Sequence, residues 1–202
     1  MGDVVDALNN LPPTTWGLVA AAIVVGWLLA WGWGAYRQYS TRKALIGAVT
    51  AAGSDHLADV LVPDGMGGWF HLDFVLLTPG AILVIDMRDV GGNIFGGDQM
   101  TEWTVMDGAQ RFTFANPQGA LYDRIAAVKA IAGEVPVEGR IVFTRRGKFP
   151  KGLPKWTLMI DSLKSEFPAA VEQGNLYEEA WRKVKSAVLP SAMNQVKPVS
   201  VR

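Results

Sequence analysis

Apolar positions in this chain form one long run, followed by shorter segments spaced as in strands or helices. The run from Trp16 to Ala35 is almost continuously apolar, and residues 11–36 carry no charged side chain. About 20 helical residues span about 30 Å, the thickness of the hydrocarbon core of a bilayer. The pattern predicts a single transmembrane helix at residues 16–36, preceded by a short extracytoplasmic N-terminus at residues 1–15.

Charges on either side of the run predict its orientation. The first ten residues carry only acidic charged side chains, whereas Arg37, Arg42 and Lys43 follow the run. The positive-inside rule places the N-terminus outside and the main domain in the cytoplasm, with the lipid bilayer as a partner. We expect a single-pass protein of a bacterial inner membrane. A cleaved signal peptide would need a basic start and a small-residue cleavage site, neither of which is evident. A buried helix would be unusual for a run this long with four tryptophans.

The rest of the chain predicts an α/β domain. The predicted elements are a juxtamembrane helix within residues 37–55, strands at 56–62, 71–77 and 81–88, a hairpin of strands at 103–106 and 111–114, a helix from Asn116 to Gly133, strands at 139–144 and 156–160, and a last helix that starts with a capping box at Asn175 and ends before Pro190. This order indicates a mixed sheet flanked by helices over residues 56–189, with a flexible tail at 190–202.

Two neighbouring strands bring polar side chains into an otherwise apolar hairpin. If the turn pairs Leu77 with Ile82, Asp73 lies directly opposite Asp86, and the two carboxylates are roughly 5 Å apart on one face. Arg88 follows Asp86 by two residues and shares that face. Like charges at this distance repel, and a divalent cation would resolve the repulsion. Two carboxylates and a cation suit metal-assisted phosphoryl chemistry, so Asp73, Asp86 and Arg88 are the candidate catalytic residues.

Alternatives stay open at this hairpin. A register shift of one residue would turn Asp73 away from Asp86, because every side chain changes face. A structural ion pair between aspartate and arginine would also fit the pattern. His71 shares the proposed face, where it is a ligand, a proton carrier or a structural side chain at the rim.

Composition narrows the chemistry available to the hairpin. The 202-residue chain contains no cysteine, which excludes disulfides, thiolate metal sites and cysteine nucleophiles. Any metal would need carboxylate, carbonyl or histidine ligands, which favours Mg²⁺ or Mn²⁺. The net charge is zero, yet residues 140–202 hold 12 basic and 5 acidic residues. A basic loop with Arg145, Arg146 and Lys148 is therefore the candidate contact for nucleic acid, unless it is only a solvated connection.

The ordered motifs between residue 56 and about residue 117 resemble those of the nuclease-related domain (NERD) family, in the PD-(D/E)xK restriction-endonuclease-like superfamily. The motifs are Leu72-Asp73 entering a strand, the turn Thr78-Pro79-Gly80, the strand Ile82–Ile85, Asp86-Met87-Arg88, Val90–Gly96, Glu102-Trp103-Thr104 and Asn116-Pro117. The resemblance implies a restriction-endonuclease-like mixed sheet and a magnesium-dependent nuclease centre. In that centre the carboxylates of Asp73 and Asp86 and the backbone carbonyl of Met87 would bind the metal, and Arg88 would stand at the lysine position.

Three departures from the family pattern surround this centre. Asp86 replaces a glutamate, Arg88 replaces a lysine, and residues 37–53 lack the acid expected upstream. Arginine stays protonated and can stabilise phosphate charge, but it is a poor proton acceptor. The sequence therefore supports two hypotheses. One is a membrane-anchored, metal-dependent nuclease acting on DNA or RNA; the other is an inactive scaffold that binds nucleic acid or a protein partner at the membrane.

Overall fold

The computed structural model describes residues 24–27, 45–168 and 177–191. The chain divides into two units, residues 1–44 and 45–202. In the first unit residues 24–27 are helical; the rest of the predicted transmembrane helix and the predicted extracytoplasmic segment lie outside the described residues. Among the residues that are described, no helix is both long enough and apolar enough to cross a membrane.

The second unit folds into two β-sheets flanked by helices. The strands are β1 (Asp55–Pro63), β2 (Trp69–Leu77), β3 (Ile82–Arg88), β4 (Gly92–Phe95), β5 (Glu102–Asp107), β6 (Gln110–Ala115), β7 (Val137–Phe143), β8 (Gly147–Lys148), β9 (Thr157–Met159) and β10 (Leu189–Pro190). The helices are α1 (Pro117–Ala132), α2 (Ile160–Glu166) and α3 (Glu178–Ala187), and residues 45–50 are also helical.

Both sheets mix parallel and antiparallel pairs. The larger sheet has the strand order β10-β1-β2-β3-β7-β9, and the smaller has the order β6-β5-β4-β8. In the larger sheet, β3 pairs with β7 and β7 with β9 in parallel, whereas β1, β2 and β3 pair antiparallel. The arrangement confirms the predicted α/β class with mixed sheets, and it is compatible with a restriction-endonuclease-like domain.

The larger sheet is buried on both faces. One face contributes to a core with α1 and α3, in which Val84, Leu121 and Trp181 are buried. The other face packs against helical residues 45–50 and α2, through Val49 and Leu163. Because both faces are covered, the central strands are almost entirely apolar, and a charged side chain there needs a specific partner.

The first hairpin forms in the predicted register. Leu77 pairs with Ile82. Thr78 closes the turn, because its backbone N–H and its hydroxyl both donate to the carbonyl of Ala81, at 3.0 Å and 2.7 Å. The backbone register on which the acidic pair depends is therefore confirmed.

The second hairpin and the helix that follows it also match the sequence pattern. The hairpin turns at Gly108, whose φ of 59° suits glycine. Asn116 caps α1, since its side-chain oxygen accepts a hydrogen bond from the N–H of Gln118 at 3.0 Å. Gly133 follows the last turn of that helix, as predicted.

Several short elements differ from the prediction. β4 and β8 lie in segments predicted as loops, because strands of four and two residues are too short to show an alternating pattern. The strand predicted at residues 156–160 is shorter, Thr157–Met159, and α2 begins at Ile160. α3 begins at Glu178, and the predicted cap Asn175 lies outside the described residues. Pro190, predicted to follow the last helix and open a flexible tail, pairs instead with Val60 of β1. Residues 192–202 of that predicted tail lie outside the described residues.

Candidate functional site

The site lies where the regular alternation of β2 is interrupted. Leu72 and Val75 both pack into the same core cluster, although they are three residues apart. Side chains on one face of a regular strand are two residues apart, so the alternation slips at Asp73. At the same level of β1 lies Asp59, whose φ is 54°, a left-handed conformation that aspartate adopts more readily than most residues. Two acidic residues, Asp59 and Asp73, thus lie at a break in the ladder.

Asp73 uses its carboxylate to join β2 to β3. Its Oδ2 accepts a hydrogen bond from the backbone N–H of Met87 at 2.8 Å. The last regular pair of these strands is Phe74 with Ile85, so Asp73 and Asp86 lie at the next level along the hairpin. The structure therefore brings together the two acids that the sequence placed opposite each other.

Asp86 is almost completely enclosed and is held by two arginines. Only 4% of its side chain is exposed. Its Oδ2 accepts hydrogen bonds from Nη2 of Arg88 at 2.7 Å and from Nη1 of Arg124 at 3.1 Å. Nε of Arg124, which comes from α1, donates to the carbonyl of His71 at 2.8 Å. One guanidinium thus ties α1 to both β2 and β3, and two cations surround one buried carboxylate.

His71 lies between the two acids at the interrupted ladder. Its Nε2 is 2.7 Å from Oδ1 of Asp59, and its Nδ1 is 3.6 Å from Oδ1 of Asp73. About a third of each of these three side chains is exposed. The outer half of the site is thus a solvent-accessible row of acid, imidazole and acid.

Burial raises the pKa of Asp73 above that of an ordinary aspartate. The hydrogen bond from the Met87 N–H opposes this shift, and the charge of Asp86 adds to it. Asp73 therefore keeps its proton to a higher pH than usual. The contribution of Asp86 is the one expected of a neighbouring carboxylate, whose negative charge disfavours ionisation.

The donor groups at this site do not fit a divalent cation as they are arranged. Within the described part of the chain, no group of three or more histidine, aspartate or glutamate side chains is placed to hold a metal ion. Oδ2 of Asp86 already accepts hydrogen bonds from two guanidiniums, so a metal ion at this oxygen would have to displace an arginine. The metal-binding roles of Asp73, Asp86 and Met87 that the resemblance implies stay predictions.

The basic loop begins beside the site. It follows β7, and the N–H of Thr144 donates to the carbonyl of Arg88 at 3.1 Å. Lys148 is exposed at the end of β8. The loop therefore begins at the carboxyl ends of the neighbouring strands β3 and β7, next to Arg88.

Two cations of this loop are already paired with carboxylates. Arg145 contacts Asp161 at 2.6 Å, and Arg146 contacts Asp89 at 2.9 Å. All four side chains are more than half exposed. Exposed pairs of this kind contribute little to stability, so a phosphate could replace either carboxylate at small cost. The nucleic-acid contact by Arg145, Arg146 and Lys148 stays a prediction.

A buried glutamine joins α1 to two loops near the site. Nε2 of Gln118 donates to Oδ1 of Asp98 and to the carbonyl of Lys155, both at 2.8 Å. Oδ1 of Asp98 also accepts from the N–H of Lys155 at 2.9 Å. These hydrogen bonds, that of Gln118 first, lower the pKa of Asp98. The three residues form a clamp that fixes the backbone just before β9.

Sequence reasoning missed two residues of the site. Arg124 lies on the apolar stripe of α1, three residues after Leu121 and four before Val128. A charged residue on a buried helical stripe signals a buried partner, so this signal was available. Asp59 gave no comparable signal, because its position opposite Asp73 depends on the register between β1 and β2.

The comparisons with known proteins agree with the motifs of the hairpin. A family model described as "Nuclease-related domain" (NERD) matches residues 41–144, which is more than half of the 202-residue chain. The matched segment contains the acidic pair and both arginines that hold Asp86. No curated protein and no solved structure matches the chain significantly.

Proposed function

The chain belongs to the nuclease-related domain (NERD) family, and from this premise we propose that it binds nucleic acid at a membrane without metal-dependent cleavage. The observation that carries the proposal is the pair of guanidiniums on the carboxylate of Asp86, from Arg88 at 2.7 Å and Arg124 at 3.1 Å. Arg88 and Arg124 together carry one positive charge more than the Asp86 carboxylate they hold, and the partly exposed guanidinium of Arg88 can receive a phosphate. Nucleic acid is the phosphate-bearing ligand that a nuclease-related domain implies.

Arg88 is the side chain best suited to meet that phosphate. It is 34% exposed, whereas Asp86 beneath it is 4% exposed. Its Nε is buried and has no hydrogen-bond partner within the described residues, so a phosphate would meet the terminal nitrogens of the guanidinium. A guanidinium recognises phosphate through paired hydrogen bonds. Asp86 would then orient Arg88 and would not itself contact the ligand.

The proposed place of action is the cytoplasmic face of a membrane. Residues 16–36 would anchor the chain in the bilayer, with the N-terminus outside. The support is the uncharged apolar run and the three basic residues that follow it, Arg37, Arg42 and Lys43. The domain would thereby meet nucleic acid close to the inner surface of the membrane.

The proposal is tested by binding and cleavage assays on the full-length chain in detergent. Labelled DNA and RNA oligonucleotides are incubated with the protein in EDTA, in millimolar Mg²⁺ and in millimolar Mn²⁺. We expect salt-sensitive binding in all three conditions and no cleavage. Arg88→Gln should weaken binding and lower the slope of log affinity against log salt by about one, as for the loss of one phosphate contact. Arg111→Gln, an exposed arginine on β6, is the matched control and should leave both unchanged.

A metal-dependent nuclease is the second candidate function. The observation that favours it is the hydrogen bond from Met87 to Asp73, which holds the second acid at the level of Asp86. Cleavage that requires Mg²⁺ or Mn²⁺ and disappears in Asp73→Asn would establish this function and overturn the metal-free proposal. If the chain neither binds nor cleaves any oligonucleotide, both fail, and a scaffold for a protein partner becomes the better hypothesis.

A further inference from the structure

Trp156 combines an exposed indole with an unfavourable backbone conformation. Its φ is 61°, in the left-handed region that bulky side chains rarely adopt. The residue is 36% exposed, so burial of the ring does not account for its place there. A glycine would adopt the same φ without strain. The turn into β9 therefore does not itself require tryptophan.

The backbone around Trp156 is held from three sides. The N–H of Lys155 donates to Asp98, and its carbonyl accepts from Gln118. The carbonyl of Trp156 accepts from the N–H of Ile141 in β7 at 2.8 Å. Strained residues persist where surrounding contacts determine them fully, and such residues are concentrated at functional sites. The clamp thus fixes the position from which the indole is presented.

Trp156 lies close to the arginine–aspartate site. Its carbonyl bonds to Ile141, which pairs with Asp86 across β7 and β3. Two strand spacings separate the backbones of Trp156 and Asp86 by about 10 Å. α1 gives the same distance independently, because the six residues from Gln118 to Arg124 rise about 9 Å. A short stretch of single strand could therefore contact both places.

A basic side chain lies over the Trp156 ring, and a second lysine–ring pair involves the loop that precedes it. Nζ of Lys155 lies 5.0 Å from the centre of the Trp156 ring, and Nζ of Lys151 lies 6.0 Å from the centre of the Phe95 ring. A lysine beside an exposed ring, as at Trp156, is typical of surfaces on which unpaired bases stack while the cations meet the backbone phosphates. Bases in a duplex are already stacked and are not available to such a ring.

We infer that Trp156 is a stacking platform for an unpaired base of single-stranded nucleic acid, with Lys155 contacting an adjoining phosphate. The inference rests on the proposed nucleic-acid binding and specifies the form of the ligand. It also assigns a role to the clamp of Gln118 and Asp98, which would hold the indole at a fixed distance from Arg88.

The test measures affinity of the full-length chain in detergent for labelled oligothymidylate, oligouridylate and a DNA duplex. Trp156→Gly removes the ring and relieves the backbone strain, so it is less prone to unfold than other truncations. It should weaken binding of at least one single strand by about 5-fold to 100-fold, the usual effect of losing one stacked base, with little change for the duplex. Trp156→Phe should restore most of the affinity. Trp69→Ala is the matched control, since Trp69 is 47% exposed on β2.

The outcomes separate this inference from the proposed function. If the unsubstituted chain binds oligonucleotides and Trp156→Gly binds single strands equally well, the stacking inference is overturned and the proposed function stands. An equal loss for single strands and duplex also overturns stacking, as does an equal loss in Trp69→Ala. If the unsubstituted chain binds no oligonucleotide, both proposals fail. The strand with the larger loss identifies DNA or RNA as the ligand.

Discussion

Two arginine–aspartate ion pairs in this domain differ strongly in burial. Asp86 is 4% exposed and Arg124 is 22% exposed, whereas Asp161 and Arg145 are 57% and 79% exposed. Water screens the exposed pair, and the side chains lose little when it breaks. The buried carboxylate has lost its hydration, so removing it leaves two guanidiniums without a counter-charge.

Asp86→Ala is therefore expected to lower the free energy of unfolding by about 3–5 kcal/mol, the usual effect of breaking a buried ion pair. Asp161→Ala should lower it by about 1 kcal/mol at most. Chemical denaturation of the full-length chain, followed by circular dichroism, measures both. Equal effects of the two substitutions would show that Arg88 and Arg124 do not depend on Asp86 for their charge balance.

Asp73→Asn is expected to stabilise the fold at neutral pH. Burial raises the pKa of Asp73, with a further contribution from Asp86, so the ionised carboxylate is disfavoured in the folded state. This destabilisation is present above the folded pKa and is relieved as the pH falls through it towards the unfolded value. Asparagine carries no charge and keeps an acceptor for the Met87 N–H.

The measurement for this prediction is urea denaturation of both chains from neutral to acidic pH. The advantage of the asparagine variant should be largest at neutral pH and should shrink in acid. A constant difference across the range, or a loss of stability at neutral pH, would mean that the hydrogen bond from Met87 outweighs burial.

At the scale of secondary structure, the elements predicted correctly are those with local signals. Thr78 closes its own turn, and the side chain of Asn116 caps its own helix, so neither depends on distant parts of the chain. The register of the β2–β3 hairpin follows from that turn. The same register then places Asp73 beside Asp86, which is why half of the site could be predicted.

The remaining half depends on tertiary packing. Arg124 meets Asp86 only because α1 crosses the sheet at that level, and Asp59 meets His71 only through the β1–β2 register. β4 and β8 pair with each other across more than 50 residues of sequence, through Gly92 with Gly147. No periodicity within a short segment identifies the partner in these contacts, so the pairings could not be predicted from the sequence alone.

Gly96 is expected to be required where the loop after β4 packs against Trp103 of the smaller sheet, because a side chain there would clash. A Cβ at this position would lie 2.7 Å from Cε2 of Trp103, whose fully buried indole packs among Phe143 and Phe149. Gly96→Ala should lower the free energy of unfolding by about 1–3 kcal/mol, because a rigid ring must move.

The adjacent glycine provides the control. A Cβ at Gly97 would lie 3.4 Å from Sδ of Met100, an ordinary contact with a flexible side chain. Gly97→Ala should therefore change stability little. Thermal denaturation of the two variants beside the unsubstituted chain compares them directly, and similar melting temperatures for both variants would show that Trp103 can move aside.

At the scale of the whole molecule, binding of an anionic ligand depends more on how the charges are distributed than on the net charge. The C-terminal third is basic by composition, yet Arg140, Arg145 and Arg146 each contact a carboxylate. The cations that composition assigns to an anionic partner are thus partly engaged within the protein. Binding of nucleic acid would exchange the exposed pairs of Arg145 and Arg146 for phosphate contacts, so its affinity should depend strongly on salt.

The predicted membrane topology can be tested with single cysteines, because the natural chain contains none. Asn9→Cys lies before the apolar run and Ser40→Cys lies after it. With the N-terminus outside, a membrane-impermeant maleimide should label Asn9→Cys in cells whose outer envelope alone is opened, and Ser40→Cys only after the inner membrane is permeabilised. The positive charge of Arg37, Arg42 and Lys43 should keep Ser40→Cys on the cytoplasmic side, where the impermeant reagent cannot reach it until the inner membrane is permeabilised.

Three other patterns would each contradict this topology in a different way. Labelling of Ser40→Cys alone before permeabilisation would mean the reverse orientation. Loss of the Asn9→Cys segment from the mature chain would mean a cleaved signal peptide. Release of the whole chain by alkaline carbonate would mean that residues 16–36 do not span the bilayer. In the first two cases the domain would lie outside the cytoplasm, away from cellular nucleic acid, so the proposed function depends on the orientation as much as on Arg88.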